Sequence, residues 1–101
     1  MIKHIVAFRF KEGVSGEAQA SLLKEQSEFP KRFPKMRNWT MGKNISKRDD
    51  AFTYGFVVEF ETEKDLVEYL SSEEHERFVR ERFRPLIEKR AIVSYEFFEK
   101  G

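Results

Sequence analysis

The chain has no cysteine, only three prolines and five glycines, and no surplus of either charge. Without cysteine there can be no disulfide scaffold, no thiol nucleophile and no cysteine-built zinc site. Lys and Arg number 19 against 18 Asp and Glu, a net charge of +1, which argues against a dedicated nucleic-acid binder and against a charged disordered tail. No apolar run approaches the roughly 18 residues of a membrane helix. The longest in the first strand is Ile5-Val6-Ala7-Phe8, and Met1-Ile2-Lys3-His4 lacks the pattern of a secretory leader. These absences predict a soluble cytoplasmic protein with no membrane or nucleic-acid partner, residues 1–101 forming one domain. What is present is core material: 40% of the 101 residues are hydrophobic, and 11 are Phe. A monomer of this length buries only roughly 60–70% of the surface its unfolded chain exposes, so a partner subunit would add useful burial.

Charge is segregated along the chain. Residues 31–48 hold seven basic residues and no acid, whereas residues 59–76 hold eight acids and one base, Lys64. Beyond Trp39 nothing there interleaves aromatics in a nucleic-acid pattern, so a solvated face is expected rather than a nucleic-acid site.

Ile2, His4, Val6, Phe8 and Phe10 alternate with Lys3, Ile5, Ala7 and Arg9, the period of a strand. Ser15 is placed to cap a helix carrying Ala18, Leu22 and Phe29, with Leu23 and Gln26 beside them, which Pro30 and Pro34 end or kink. A second strand is predicted from about Arg37 to Ile45 and a third over 52–60, with Phe52, Tyr54, Phe56, Val58 and Phe60 on one face. Thr62 and Asp65 mark the start of a short helix with Leu66, Tyr69 and Leu70. Ser71 or Ser72 caps a further helix whose apolar stripe is Phe78, Val79 and Phe83, and Pro85 is expected to end it. A last strand runs from about Arg90 to Phe98. The order β-α-β-β-α-β, with the second helix broken, predicts an α+β, ferredoxin-like protomer with a four-stranded antiparallel sheet.

One sheet face too many is apolar. Helices on one side cover only the set containing Val6, Phe8, Phe56 and Val58. The other set is expected to hold Ile5 and Ala7, then Trp39 and Met41, Val57, and on the last strand Val93, Tyr95 and Phe97. An uncovered apolar face marks an interface, and a homodimer about a twofold axis is the simplest closure.

Both histidines are predicted to point inward: His4 by alternation with Val6 and Phe8, His75 by its spacing to Phe78 and Val79. Tyr69 and Tyr54 join them from the faces of Leu66 and Phe56. A neutral imidazole can move a proton and a phenol can hold a developing oxyanion. The competing reading is of core histidines satisfied by neighbouring polar groups. A pocket between sheet and helices would take its walls from Val6, Phe8 and Phe56 of the sheet and from Leu22, Leu23, Phe78 and Val79 of the helices. Gly13-Val14-Ser15-Gly16 lacks the spacing of a phosphate loop, and Glu73-Glu74-His75-Glu76 has no second histidine four residues away. Neither a metal nor a cofactor is expected.

Ile2-Lys3-His4-Ile5-Val6 with Phe8-x-Phe10-Lys11 and Gly13 resembles the opening of the stress-responsive α/β-barrel (Dabb) domain family. Met41-Gly42-Lys43-Asn44, Phe52-Thr53-Tyr54-Gly55 and Tyr69-Leu70-x5-His75-x2-Phe78 continue the resemblance in order, over essentially the whole chain. It implies a dimeric α+β barrel. Most bacterial members have no assigned activity, plant members are associated with stress, and one plant member is a cofactor-free cyclase that closes a polyketide chain. Carried over from that cyclase, His75 and Tyr69 are the catalytic pair and His4 lines the pocket. Two departures weigh against the same substrate: Tyr54 stands where a pocket histidine is expected, and Gln26 where a pocket tyrosine is. Three readings follow: a pocket with acid–base catalysis of a cyclase or lyase kind, a non-catalytic stress-related dimer, and a monooxygenase-like barrel. Phe8, Phe56 and Phe78 filling the pocket would favour the second.

Overall fold

The computed structural model describes residues 1–98, so the last three residues of the predicted domain lie outside the described part. The chain runs β1 (Ile2–Phe10), α1 (Gly16–Ser27), a short α2 (Phe29–Arg32), β2 (Arg37–Lys43), β3 (Tyr54–Phe60), α3 (Glu63–Ser71) and α4 (Glu73–Phe78). A π-helical turn (Val79–Phe83) then leads through α5 (Arg84–Leu86) into β4 (Ile87–Glu96). The strands form one antiparallel sheet in the order β2-β3-β1-β4, the ferredoxin-like arrangement.

Local chemistry sets the helix ends. The Ser15 side chain accepts from the Ala18 N–H, Thr62 from Asp65 and Ser72 from His75, each satisfying a donor that a helix start leaves free. Pro30 falls in the first turn of α2, where the N–H it lacks would have had no partner. Pro85 does not end the helical run, as the sequence predicts; it sits inside α5, and the run passes through it to Leu86. The final strand accordingly begins at Ile87, before the expected start near Arg90, with a bulge in its pairing at Arg9/Phe10.

The helices lie on one face of the sheet, and the molecule is only 18 Å thick in its thinnest direction, two layers deep. Phe8, Leu22, Phe29, Val58 and Phe60 are fully buried between these layers. On the open face β1 contributes Ile5 and Ala7, opposite Val57 and Gly55 of β3 and Val93 and Ala91 of β4. Tyr95 pairs with Lys3, and Phe97 lies beneath the Lys3 ammonium at 4.9 Å.

Trp39 and Met41 are not on that face. Arg37 lies opposite Glu59 but Thr40 lies opposite Val57, so β2 fits one extra residue into the ladder at Asn38, whose φ is +52°. The extra residue inverts the alternation that follows. Thr40 therefore faces the open side, while Trp39 turns under the helices and stacks on Phe56, with ring centroids 4.6 Å apart. Met41, in register with Phe56, packs on the core beside it.

The charge segregation resolves into complementary surfaces. Arg32 meets Glu74 at 2.6 Å, Lys35 meets Asp65 at 3.2 Å and Glu68 at 3.1 Å, and Arg37 meets Glu61 at 3.8 Å. The basic segment around α2 is thus paired with the acidic segment of α3 and α4. These exposed pairs contribute little stability each, but they give Arg32, Lys35 and Arg37 carboxylate partners within the chain. Among the described residues no helix is long and apolar enough to cross a membrane.

Candidate functional site

Between the sheet and α1, α3 and α4 lies a cavity of about 140 Å³. The sheet supplies His4, Val6 and Phe56 to its wall, with Arg90 and Ile92 from β4. Gln26 and Phe29 enter from α1 and α2, and Tyr69, Leu70 and His75 from α3 and α4. Phe78, Val79 and Phe83 complete it from the end of α4 and the π-helical turn.

The break between α3 and α4 builds the His75–Tyr69 pair. Ser72 donates its hydroxyl to the Tyr69 carbonyl at 2.8 Å, and its oxygen accepts the His75 backbone N–H at 3.2 Å. One hydroxyl therefore ties both residues across the kink, and their rings stand 4.4 Å apart between centroids. His75 Nδ1 lies 3.1 Å from the Leu70 carbonyl oxygen. A carbonyl only accepts, so Nδ1 carries the hydrogen, and in the neutral ring the lone pair is on Nε2. Burial holds the His75 pKa below its ordinary value, against the opposing pull of the Leu70 carbonyl and the Glu76 carboxylate.

Tyr69 is buried, its ring between Phe33, Phe60 and His75, and burial alone pushes its phenol up, so it stays a hydrogen-bond donor. His4, brought inward by the β1 alternation, is 2% exposed, with Nδ1 2.7 Å from the Ser94 hydroxyl on β4. Burial first, and the neighbouring His75 second, lower its pKa from 6.5 to about 4. Its ring centroid is 6.4 Å from that of Tyr69. The cavity thus holds two neutral imidazoles and a neutral phenol among aromatic and aliphatic walls.

Of the residues expected around the pocket, the structure brings together His4, Val6, Phe56, Tyr69, His75, Phe78 and Val79. It does not bring Phe8, Leu22, Leu23 or Tyr54 there. Phe8 and Leu22 are wholly enclosed in the core and Leu23 packs against its edge. Tyr54 stacks on Phe8 at 5.9 Å and meets Phe10 at 5.8 Å, because β3 sets it opposite Phe8, four residues along β1 from His4. The resemblance puts Gln26 at the place of a pocket tyrosine, and it does line the cavity. Phe29, Leu70 and Phe83 belong to the inward stripes of the predicted helices without being expected as pocket walls, and Arg90 and Ile92 carry no signal in the sequence. Phe8, Phe56 and Phe78 do not fill the space. Among the described residues no three His, Cys, Asp or Glu side chains gather where they could hold a metal ion.

The family model for the stress responsive A/B barrel domain (Dabb) matches residues 2–97. The stress-response A/B barrel domain-containing protein HS1 of Arabidopsis thaliana is 26% identical over 97 residues, 94% of this chain and 88% of that protein. The hydroxynitrile lyase of Passiflora edulis has the same fold, with a TM-score of 0.87 at 24% identity over 99% of this chain and 95% of the other. A dimeric ferredoxin-like protein of unknown function from Thermobifida fusca also shares it, with a TM-score of 0.79 at 19% identity, covering 95% and 90% of the two chains.

Proposed function

This chain belongs to the stress-responsive A/B barrel (Dabb) family, and on that premise we propose that it is a homodimer whose pocket binds a small apolar molecule and converts it by cofactor-free acid–base chemistry of a cyclase or lyase kind. The observation that carries this reading is the hydrogen bond from His75 Nδ1 to the Leu70 carbonyl, which leaves Nε2 as a free base beside the Tyr69 phenol. Nε2 takes a proton from the substrate, and Tyr69 donates a hydrogen bond to the oxygen on which charge collects. The unfilled cavity supports a ligand-binding role over a purely structural one. Its volume suits a molecule about the size of a benzene ring. The apolar open sheet face and the dimeric relative of the same fold support the dimer.

The hydroxynitrile lyase that shares this fold supplies a concrete probe reaction. In such a cleavage a base removes the hydroxyl proton of a cyanohydrin, the carbon–carbon bond to the nitrile breaks with its electrons on cyanide, and a carbonyl compound remains. Cyanide then takes up the proton and leaves as hydrogen cyanide. Small aliphatic and benzylic cyanohydrins and β-hydroxy ketones, assayed for cyanide or carbonyl release, test the reading. Turnover is expected for at least one of them, falling on the order of a hundredfold in His75→Gln. Turnover untouched by that substitution, or none across the panel, contradicts it.

A further inference from the structure

Gln26 is the one side chain among the described residues with a buried polar atom left unpartnered, its Oε1, and it lines the cavity that holds His75 and Tyr69. It is 1% exposed, fixed between Leu22 and Phe29 on the inward stripe of α1 and α2. An amide oxygen shut away from water without a donor keeps its full desolvation penalty, so its place in an apolar wall is unfavourable until something in the cavity pairs with it. None of the cavity's other polar groups reaches it: His4 and His75 spend Nδ1 on Ser94 and Leu70, and neither their second ring nitrogens nor the Tyr69 hydroxyl makes a hydrogen bond to Gln26 Oε1.

Resting on the pocket reading above, we infer that Gln26 is its selecting group, and that the ligand is a compact, uncharged alcohol or phenol whose hydroxyl is held by the Gln26 amide. The chemistry narrows the class. An amide turned by 180° exchanges oxygen for nitrogen, and a hydroxyl, donor and acceptor in one group, satisfies either orientation. An ammonium would meet two imidazoles held neutral and no carboxylate, since none lines the cavity. A carboxylate buried against Gln26 would find an amide and no cation at that depth; Arg90, the cavity's one permanent cation, is exposed. The walls otherwise demand an apolar body.

Phenol and toluene test this, because they differ only by hydroxyl for methyl. Binding of each to the full chain is measured by calorimetry and by NMR shift changes at residues of the cavity. The chain is expected to prefer phenol by at least about tenfold, the discrimination a buried hydrogen-bonding group imposes. In Gln26→Leu that preference disappears or reverses. Gln26→Met, which keeps the length of the side chain, gives the same result should the leucine variant fold poorly. Equal binding of the two probes to the unaltered chain, or a preference unchanged in Gln26→Met, overturns the inference. If that happens while His75-dependent turnover is found, only the inference falls; if neither probe binds, the pocket reading falls with it.

Discussion

His4 shows what burial does to one residue. In the folded chain its pKa is lowered from 6.5 to about 4, so the unfolded chain takes up a proton first as the medium is acidified. Stability contributed by the neutral ring is therefore complete above pH 6.5 and drains away as pH falls toward 4. A shift of that size corresponds to about 3 kcal/mol at its limit. Urea unfolding followed across this range should show the midpoint falling steeply in the unaltered chain and less steeply in His4→Gln, whose stability near neutrality starts lower. Parallel acid limbs in the two proteins would mean that His4 takes up its proton in the folded state as readily as in the unfolded one. His75 acts in the same direction, since burial lowers its pKa too. Ser72 works by a different route, through two hydrogen bonds that set the positions of Tyr69 and His75.

At the scale of elements, how much could be read from sequence depended on whether periodicity survived into the structure. The β1 alternation did, and with it the inward placement of His4. The serine and threonine caps at Ser15, Thr62 and Ser72 were legible because an unpaired N–H at a helix start asks for a short oxygen-bearing side chain. β2 was misread on one point, the extra residue at Asn38, which turned Trp39 and Met41 from the open face to the covered one. A bulge leaves no trace in an apolar–polar count. Phe83 became a wall of the pocket through a similar irregularity. The Arg84 N–H reaches back five residues to the Val79 carbonyl, and this wider turn lets Phe78 and Phe83 both face inward. Tyr54 was placed on the correct face but at the wrong height, because alternation reports which side a residue takes and not which layer it joins. Gln26 was visible as a polar residue on an apolar stripe; its unpaired oxygen was not, since pairing depends on everything the fold brings near.

For the whole molecule, the two-layer thickness leaves a sheet face on which Val93 is 56% and Tyr95 44% exposed, with Ile5, Ala7 and Val57 half-buried between them. The proposed dimer covers it. Sedimentation should give twice the 12.1 kDa of one chain. Val57→Lys, which sets an ammonium in the middle of that face opposite Ile5 and Thr40, should yield a monomer or an unfolded chain, because an unpaired buried charge costs several kcal/mol. A dimer of unchanged stability in that variant would place the interface elsewhere.

Catalysis in this pocket depends on the protonation of one ring. Long-range proton–nitrogen correlation NMR reads the tautomer and charge of His75 directly, in the full chain and across pH. A neutral ring near neutrality, with hydrogen on Nδ1 and a lone pair on Nε2, and a protonation midpoint below 6.5, is the expected result. A ring that is charged at neutral pH, or that carries its hydrogen on Nε2, would leave no base in the pocket at His75 and contradict its role.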